Sequence, residues 1–239
     1  MSFGRFQKLA QLVHPAALFQ ARNVIATTSS RMFSSASLKT VGISVLMFAL
    51  PTSVLCAQQM TIEPATKLQF AETLEGLKLL GVGVRYKWGL VKVYAVGYYA
   101  DAASSSPSLW QDLLESPKRK AIVIKMARNI DSQKLVDALE EAFKPRLALP
   151  GRSDANFPLL RKMILEVAGE QCNAGDEFIF ECVGASSIVV KANKGGKAFQ
   201  TNEPFVDRDI SFALFDTYLG ASLPEVSPTL KSSIKERLA

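Results

Sequence analysis

Three observations predict an α+β domain with helices packed on one face of an antiparallel sheet. Short runs rich in β-branched and aromatic residues recur along the chain. Apolar stripes at helical spacing alternate with them. Glycine or proline punctuates most of the boundaries. No internal repeat, linker or low-complexity segment interrupts residues 61–239, so one domain is expected there. At 239 residues and 48% hydrophobic, the chain can build one good-sized core after a leader is set aside.

The elements follow in order. Residues 61–70 read as the first strand, and residues 79–100 (LGVGVRYKWGLVKVYAVGYYA from Leu80 onward) as a β-hairpin. Residues 107–114 form a short helix with Trp110, Leu113 and Leu114 apolar, stopped by Pro117. AIVIKMAR at 121–128 is a strand. Asp131 caps a helix over 131–143, where Leu135, Ala138, Leu139, Ala142 and Phe143 share one face, and Pro145 ends it. Residues 157–168 repeat the pattern with Leu160, Met163, Ile164 and Val167. Gly175 precedes a strand at 177–183, and another follows at 187–192. Lys194-Gly195-Gly196-Lys197 turns into a strand at 198–201. Pro204 starts a helix whose apolar stripe runs over 205–219, with Gly220 as its C-cap. Ser227-Pro228 opens a terminal helix through Arg237.

The formal charge of +6 does not point to nucleic acid. Arg5, Lys8, Arg22, Arg31 and Lys39 all precede the first acidic residue, Glu63, and without them the chain is near neutrality. Residues 1–40, free of Asp and Glu and rich in Ser and Ala, have the composition of an organelle transit peptide. Arg31-Met32-Phe33-Ser34 resembles a matrix-processing site and favours the mitochondrion; the serines keep a plastid as the alternative. Residues 41–57 are uncharged and would span about 26 Å as a helix, with Pro51 kinking it. They are expected to be a retained inner-membrane anchor, the alternative being a cleaved sorting segment. Leu55 is wrong for an A-x-A site before Ala57. With Arg31 and Lys39 on its N-terminal side, the domain would face the intermembrane space.

The only histidine, His14, lies in that leader. A domain without histidine has no Ser-His-Asp or Cys-His nucleophile, no His metal site and no His-ligated haem. Cys56, Cys172 and Cys182 are too few for a disulfide framework, and Cys172 and Cys182 are expected to be buried free thiols.

The hairpin is the candidate ligand site, because an arginine in an apolar sheet needs an anion or water. Alternation puts Leu90, Lys92, Tyr94, Val96 and Tyr98 on one face and Val91, Val93, Ala95, Gly97 and Tyr99 on the other. The second set suits a core. With an even loop at 86–89, Arg85 pairs opposite Leu90, and Gly81 and Gly83 lie opposite Tyr94 and Lys92; an odd loop breaks this. Arg85, Lys92 and Tyr94 would then share a face, with glycines leaving room above it. That composition suits a carboxylate or phenolate, a contact worth about 1.5–3 kcal/mol. Equally, Arg85 could pair with a carboxylate from a facing helix while the glycines mark a bulge.

GVGVR at 81–85 followed by KVYAVGYY at 92–99 resembles the chalcone isomerase family. The resemblance spans 65–239 and takes in the helix at 131–144, its Ala142-Phe143-Lys144-Pro145 ending, Gly175-Asp176 and the helix bearing Asp216-Thr217. It implies an open-faced β-sandwich, a large antiparallel sheet covered by helices. In the family's enzymes a phenolate attacks an enone within one molecule. An arginine steadies the phenolate, a threonine–tyrosine pair orders a water on the ketone, and a lysine and an asparagine hold the far ring. By motif, Arg85 matches the arginine, Thr217 a late-helix threonine and Lys134 the lysine. Tyr94 stands in the place of the strand threonine, Asp131 in that of the tyrosine and Ala138 in that of the asparagine, and the hairpin turn is shorter.

The resemblance therefore implies the non-catalytic branch, which includes plastid fatty-acid-binding members and mitochondrial chalcone-isomerase-like proteins. The expected ligand is a fatty acid or another small amphipathic anion, held by residues drawn from Arg85, Tyr94, Lys92, Lys134, Thr217 and Tyr218. No catalytic set, cofactor or metal is assigned. Three alternatives remain: an intramolecular lyase using the Tyr94 and Tyr218 hydroxyls, a haem-associated membrane protein with a Cys, Met or Tyr ligand, and a membrane-tethered scaffold with a self-filled cleft.

Overall fold

The structure, a computed structural model, describes residues 59–101 and 106–239. The transit peptide expected at 1–40 and the apolar segment expected at 41–57 lie outside the described residues. Among the described residues, no helix is long and apolar enough to cross a membrane.

The chain opens with a ribbon of β1 (Met60–Ile62) and β2 (Gln69–Ala71), followed by β3 (Thr73–Leu74). The hairpin is β4 (Leu77–Lys87) and β5 (Val91–Ala100). Then come α1 (Leu109–Glu115), β6 (Lys120–Met126), β7 (Ile130–Asp131), α2 (Ser132–Leu147), α3 (Phe157–Ala168) and β8 (Gln171–Cys172). β9 (Glu177–Val183), β10 (Ser187–Lys194), β11 (Lys197–Gln200), β12 (Phe205–Val206), α4 (Arg208–Leu219) and α5 (Pro228–Leu238) complete it. The main sheet is antiparallel in the order β11-β10-β9-β6-β5-β4-β3, with β12 also pairing β10. The excursion through α2 and α3 lies between two neighbouring strands, β6 and β9, and so places helices over the sheet centre.

The five helices supply the larger core, in which Tyr94, Val96 and Tyr98 of β5 meet Leu139, Leu214 and Phe215. The opposite face carries a smaller core, where Phe70 of the β1–β2 ribbon packs with Leu77, Leu79, Val82, Tyr99 and Val123. From Tyr94 onward both faces of β5 are therefore buried, and the face bearing Tyr94 and Tyr98 is a packed one. Cys172 and Cys182 are buried free thiols, and burial raises the pKa of each.

Three boundaries differ from expectation. Residues 61–70 form two strands rather than one. Glu63 breaks the run, because its carboxylate accepts from the Ala65 and Thr66 amides at 3.0 and 2.6 Å and from the Thr66 hydroxyl. Pro145 does not end α2, which runs on to Leu147. The last turn is closed by the Ala148 amide on the Lys144 carbonyl and held by the buried Arg146. α4 starts at Arg208, not Pro204: Phe205 instead pairs Ile188 across the sheet and buries its ring, and Asp207 caps the helix by accepting from the Ile210 amide at 2.9 Å.

α5 decides the geometry of the hairpin. A Cβ on Gly83 would lie 2.3 Å from the Leu230 amide nitrogen, and one on Gly81 would lie 2.7 Å from an Ile234 side-chain carbon. The glycines therefore seat α5 and do not open space for a ligand. β4 is also an edge strand beyond its short pairing with β3, and α5 satisfies that edge. The Val82 and Val84 amides donate to the Ser233 and Thr229 hydroxyls, and the Ser227 hydroxyl donates to the Val84 carbonyl.

At its far end α5 is tied to the sheet by Arg237, whose guanidinium makes two 2.9 Å bonds to the Glu72 carboxylate. Arg237 holds the Glu72 carboxyl down at about 2, against 4.5 ordinarily, and the Thr61 hydroxyl adds to this. A depressed carboxyl contributes stability that is complete above pH 4.5 and is lost as the pH falls towards 2. The pair is partly solvated, so about 1 kcal/mol is expected rather than the full linkage value. Glu72→Gln should flatten that part of the acid limb in urea titrations; an unchanged limb would refute the assignment.

Candidate functional site

The β4–β5 hairpin turns through Trp88, Gly89 and Leu90, an odd loop. An odd loop alone would send Arg85 and Tyr94 to opposite faces. A β-bulge on β5 restores the parity. Arg85 pairs Tyr94 while Tyr86 pairs Lys92, leaving Val93 as the extra residue. Val93 thereby joins Tyr94 on the helix side, and Lys92 is turned to the other face, where its ammonium donates to the Ala65 carbonyl at 2.5 Å. Arg85 and Tyr94 share a face as expected, although the register differs and Lys92 is not with them.

Between this end of the hairpin and one side of α2 lies a cleft of about 990 Å³. Its lining includes Arg85, Trp88, Val91, Val93 and Tyr94 from the hairpin. Lys134, Leu135, Ala138, Glu141, Ala142 and Arg146 line it from α2, with Arg128, Ile130 and Val226 completing the wall. Asp131 positions the helix, accepting from the Gln133 amide at 2.8 Å as the expected cap. It also lies on the cleft wall.

Arg85 is half-buried on the cleft wall. One guanidinium nitrogen donates to the Tyr94 hydroxyl at 3.2 Å, and two donate to the Ala138 carbonyl at 3.3 and 3.4 Å. The small Ala138 side chain leaves the helix backbone open to that approach. No carboxylate among the described residues lies within ion-pair distance of Arg85; Glu141, also on the cleft wall, acts on it only at longer range. The pKa of Arg85 is raised, first by Tyr94, with burial opposing, so the guanidinium is charged at any physiological pH.

Behind the wall the Tyr94 and Tyr218 hydroxyls are 2.8 Å apart. Tyr218 is fully buried, and burial, followed by Tyr94, raises its pKa well above 10, so its phenol is neutral. The guanidinium donates to the Tyr94 hydroxyl, and the two phenols share one further hydrogen bond. Tyr94→Phe would leave the buried Tyr218 hydroxyl without this partner, at a cost of about 1–3 kcal/mol, while adding Tyr218→Phe should recover part of the loss. Urea unfolding of the three variants checks this. A single variant as stable as the parent would mean the pair carries no weight.

Of the residues expected at the site, Arg85, Tyr94 and Lys134 line the cleft, Lys134 on its exposed rim. Tyr218 is reached only through Tyr94. Thr217 is not there: it is fully buried and donates to the Ala213 carbonyl of its own helix at 2.7 Å. Arg128, Val93 and Arg146 went unanticipated. Val93 needed the bulge, and Arg146 needed the helix to continue past Pro145.

A sequence profile described as chalcone isomerase-like matches residues 58–234. The chain belongs to the chalcone isomerase-like family. This family member also matches the crystal structure of an Arabidopsis thaliana fatty-acid binding protein, with a TM-score of 0.59 and 19% sequence identity. The match covers 75% of this chain and 98% of that one, and it extends the family assignment to the fold, an antiparallel sheet covered by five helices. No curated protein matches the chain by sequence.

Proposed function

We propose that this chalcone isomerase-like protein binds a fatty acid or a similar amphipathic carboxylate and does not catalyse an isomerisation. The carrying observation is Arg85, a charged guanidinium on a cleft wall whose contacts are a phenol and a carbonyl rather than a carboxylate. An incoming carboxylate supplies the missing negative charge, and the Tyr94 hydroxyl holds the guanidinium in place from the core side. Val93, Leu135, Ala142 and Val226 offer apolar surface for a tail in the same cleft. The similar Arabidopsis protein carries fatty-acid binding in its description, which supports the same class of ligand.

The departures from the enzymes point the same way. Asp131 is a helix cap, Thr217 is spent on its own helix and Ala138 presents only backbone to Arg85. The open cleft, and the lack of an ion pair at Arg85 among the described residues, also speak against the self-filled scaffold. The composition of residues 1–57 supports a setting at the mitochondrial inner membrane, with residues 41–57 as the anchor, and fractionation of tagged protein tests that separately.

Mass spectrometry of organic extracts from the purified chain should find a bound fatty acid. Arg85→Ala should remove it, because the charge-assisted contact is worth about 1.5–3 kcal/mol, more than tenfold in affinity. Lipid retained by the variant at the parent's level would defeat the proposal.

A further inference from the structure

Trp88 and Leu90, at the tip of the β4–β5 hairpin, are the two most exposed large apolar side chains among the described residues, at 81% and 85%. Neither packing nor turn geometry selects a tryptophan at this position. Its backbone is left-handed (φ 53°), a conformation that glycine or asparagine adopts at less cost, and Gly89 follows in the same region. Among the described residues the Trp88 ring is met by the Lys87 ammonium, 4.8 Å from the indole centre. An exposed indole and an exposed leucine beside lysine are the composition of segments that sit in the headgroup layer of a bilayer.

Charge around the tip agrees. The cleft beside it is lined by Arg85, Lys87, Arg128 and Lys134, against only Asp131 and Glu141, so cations outnumber carboxylates there. The tip and the cleft mouth are also one surface, since Lys87, Trp88 and Val91 line the cleft as well as forming the hairpin end. We propose that the Trp88–Leu90 tip docks on an anionic bilayer surface, with the indole and the leucine in the interface and the surrounding cations on lipid headgroups. Docking in this way turns the cleft mouth towards the lipid. The proposal concerns the tip alone and does not depend on which ligand the cleft takes.

The test uses the full chain carrying Trp110→Phe, so that Trp88 alone emits. Vesicles are phosphatidylcholine with phosphatidylglycerol in equal parts, or phosphatidylcholine alone. On the anionic vesicles Trp88 emission should shift to the blue, be quenched by brominated acyl chains and lose access to acrylamide. High salt should weaken all three effects. Leu90→Asp and Lys87→Glu should each abolish them while leaving the circular dichroism unchanged. The readout is local to Trp88, so insertion of residues 41–57 does not produce it. If Trp110→Phe perturbs folding, the emission difference between the parent and Trp88→Phe supplies the same signal.

Trp88 that remains open to acrylamide and unquenched on anionic vesicles overturns the proposal. So does an equal response on phosphatidylcholine alone, which removes the charge argument. A blue shift that grows with protein concentration in the absence of vesicles assigns the tip to a second copy of the chain instead.

Discussion

Gly83→Ala is expected to cost about 3 kcal/mol or more of stability and to lower the melting temperature by roughly 6–12 °C. The added methyl would meet the Leu230 amide nitrogen at 2.3 Å and its Cα at 2.6 Å. Both are backbone atoms, so no side-chain rotation relieves the clash and α5 must move as a body. Moving α5 also strips the hydroxyl partners from the Val82 and Val84 amides of the β4 edge. Hydrogen exchange should therefore quicken at those two amides before the global transition. The same substitution separates two roles for the glycines. If they made room for a ligand, alanine would block binding and spare stability. A melting temperature within a degree or two of the parent, together with lost binding, would contradict the packing role.

Asp216→Ala is expected to be comparably severe, at about 3–5 kcal/mol, because it leaves a buried guanidinium without its counter-charge. Arg146 Nε and Asp216 Oδ2 are 2.8 Å apart, with both side chains buried. The contact is one of charge, since neither atom completes an aligned hydrogen bond. The other guanidinium nitrogens donate to carbonyls of Ala142, Asp216 and Pro224, and the second carboxylate oxygen accepts from the Ser222 amide at 2.7 Å. Burial lowers the pKa of Arg146, with Asp216 acting against it. The pair thus ties α2, α4 and the segment leading to α5 together beneath the cleft. Replacing both partners by apolar residues of similar size should cost less than Asp216→Ala alone. Equal costs in urea titrations for the single and the double variant would show that the charges are not coupled.

Local signals were legible wherever the chemistry was local. The Asp131 cap, the Gly220 cap in the left-handed region and the bounds of α3 all follow from neighbouring residues. The buried thiols and the hairpin strands were legible for the same reason. A proline near a helix end, such as Pro145, can either stop the helix or sit within its last turn. Here the distant Asp216 contact and the Ala148–Lys144 bond favour continuation. Lys92 departs from simple alternation because the bulge at Val93 turns it to the other face, and Thr217 faces its own helix rather than the cleft, which a motif match does not specify.

From sequence alone came an antiparallel sheet with helices on it and a hairpin bearing one arginine. These rest on short-range periodicity and residue identity, which the chain carries by itself. Only the tertiary structure decided that Arg85 and Tyr94 meet in one cleft, through a bulge at Val93 that offsets an odd loop. It also decided that Gly81 and Gly83 are filled by α5. Helix docking is set by contacts between residues more than a hundred positions apart, such as Val84 with Thr229, and strand parity by a bulge that alternation along the chain does not encode.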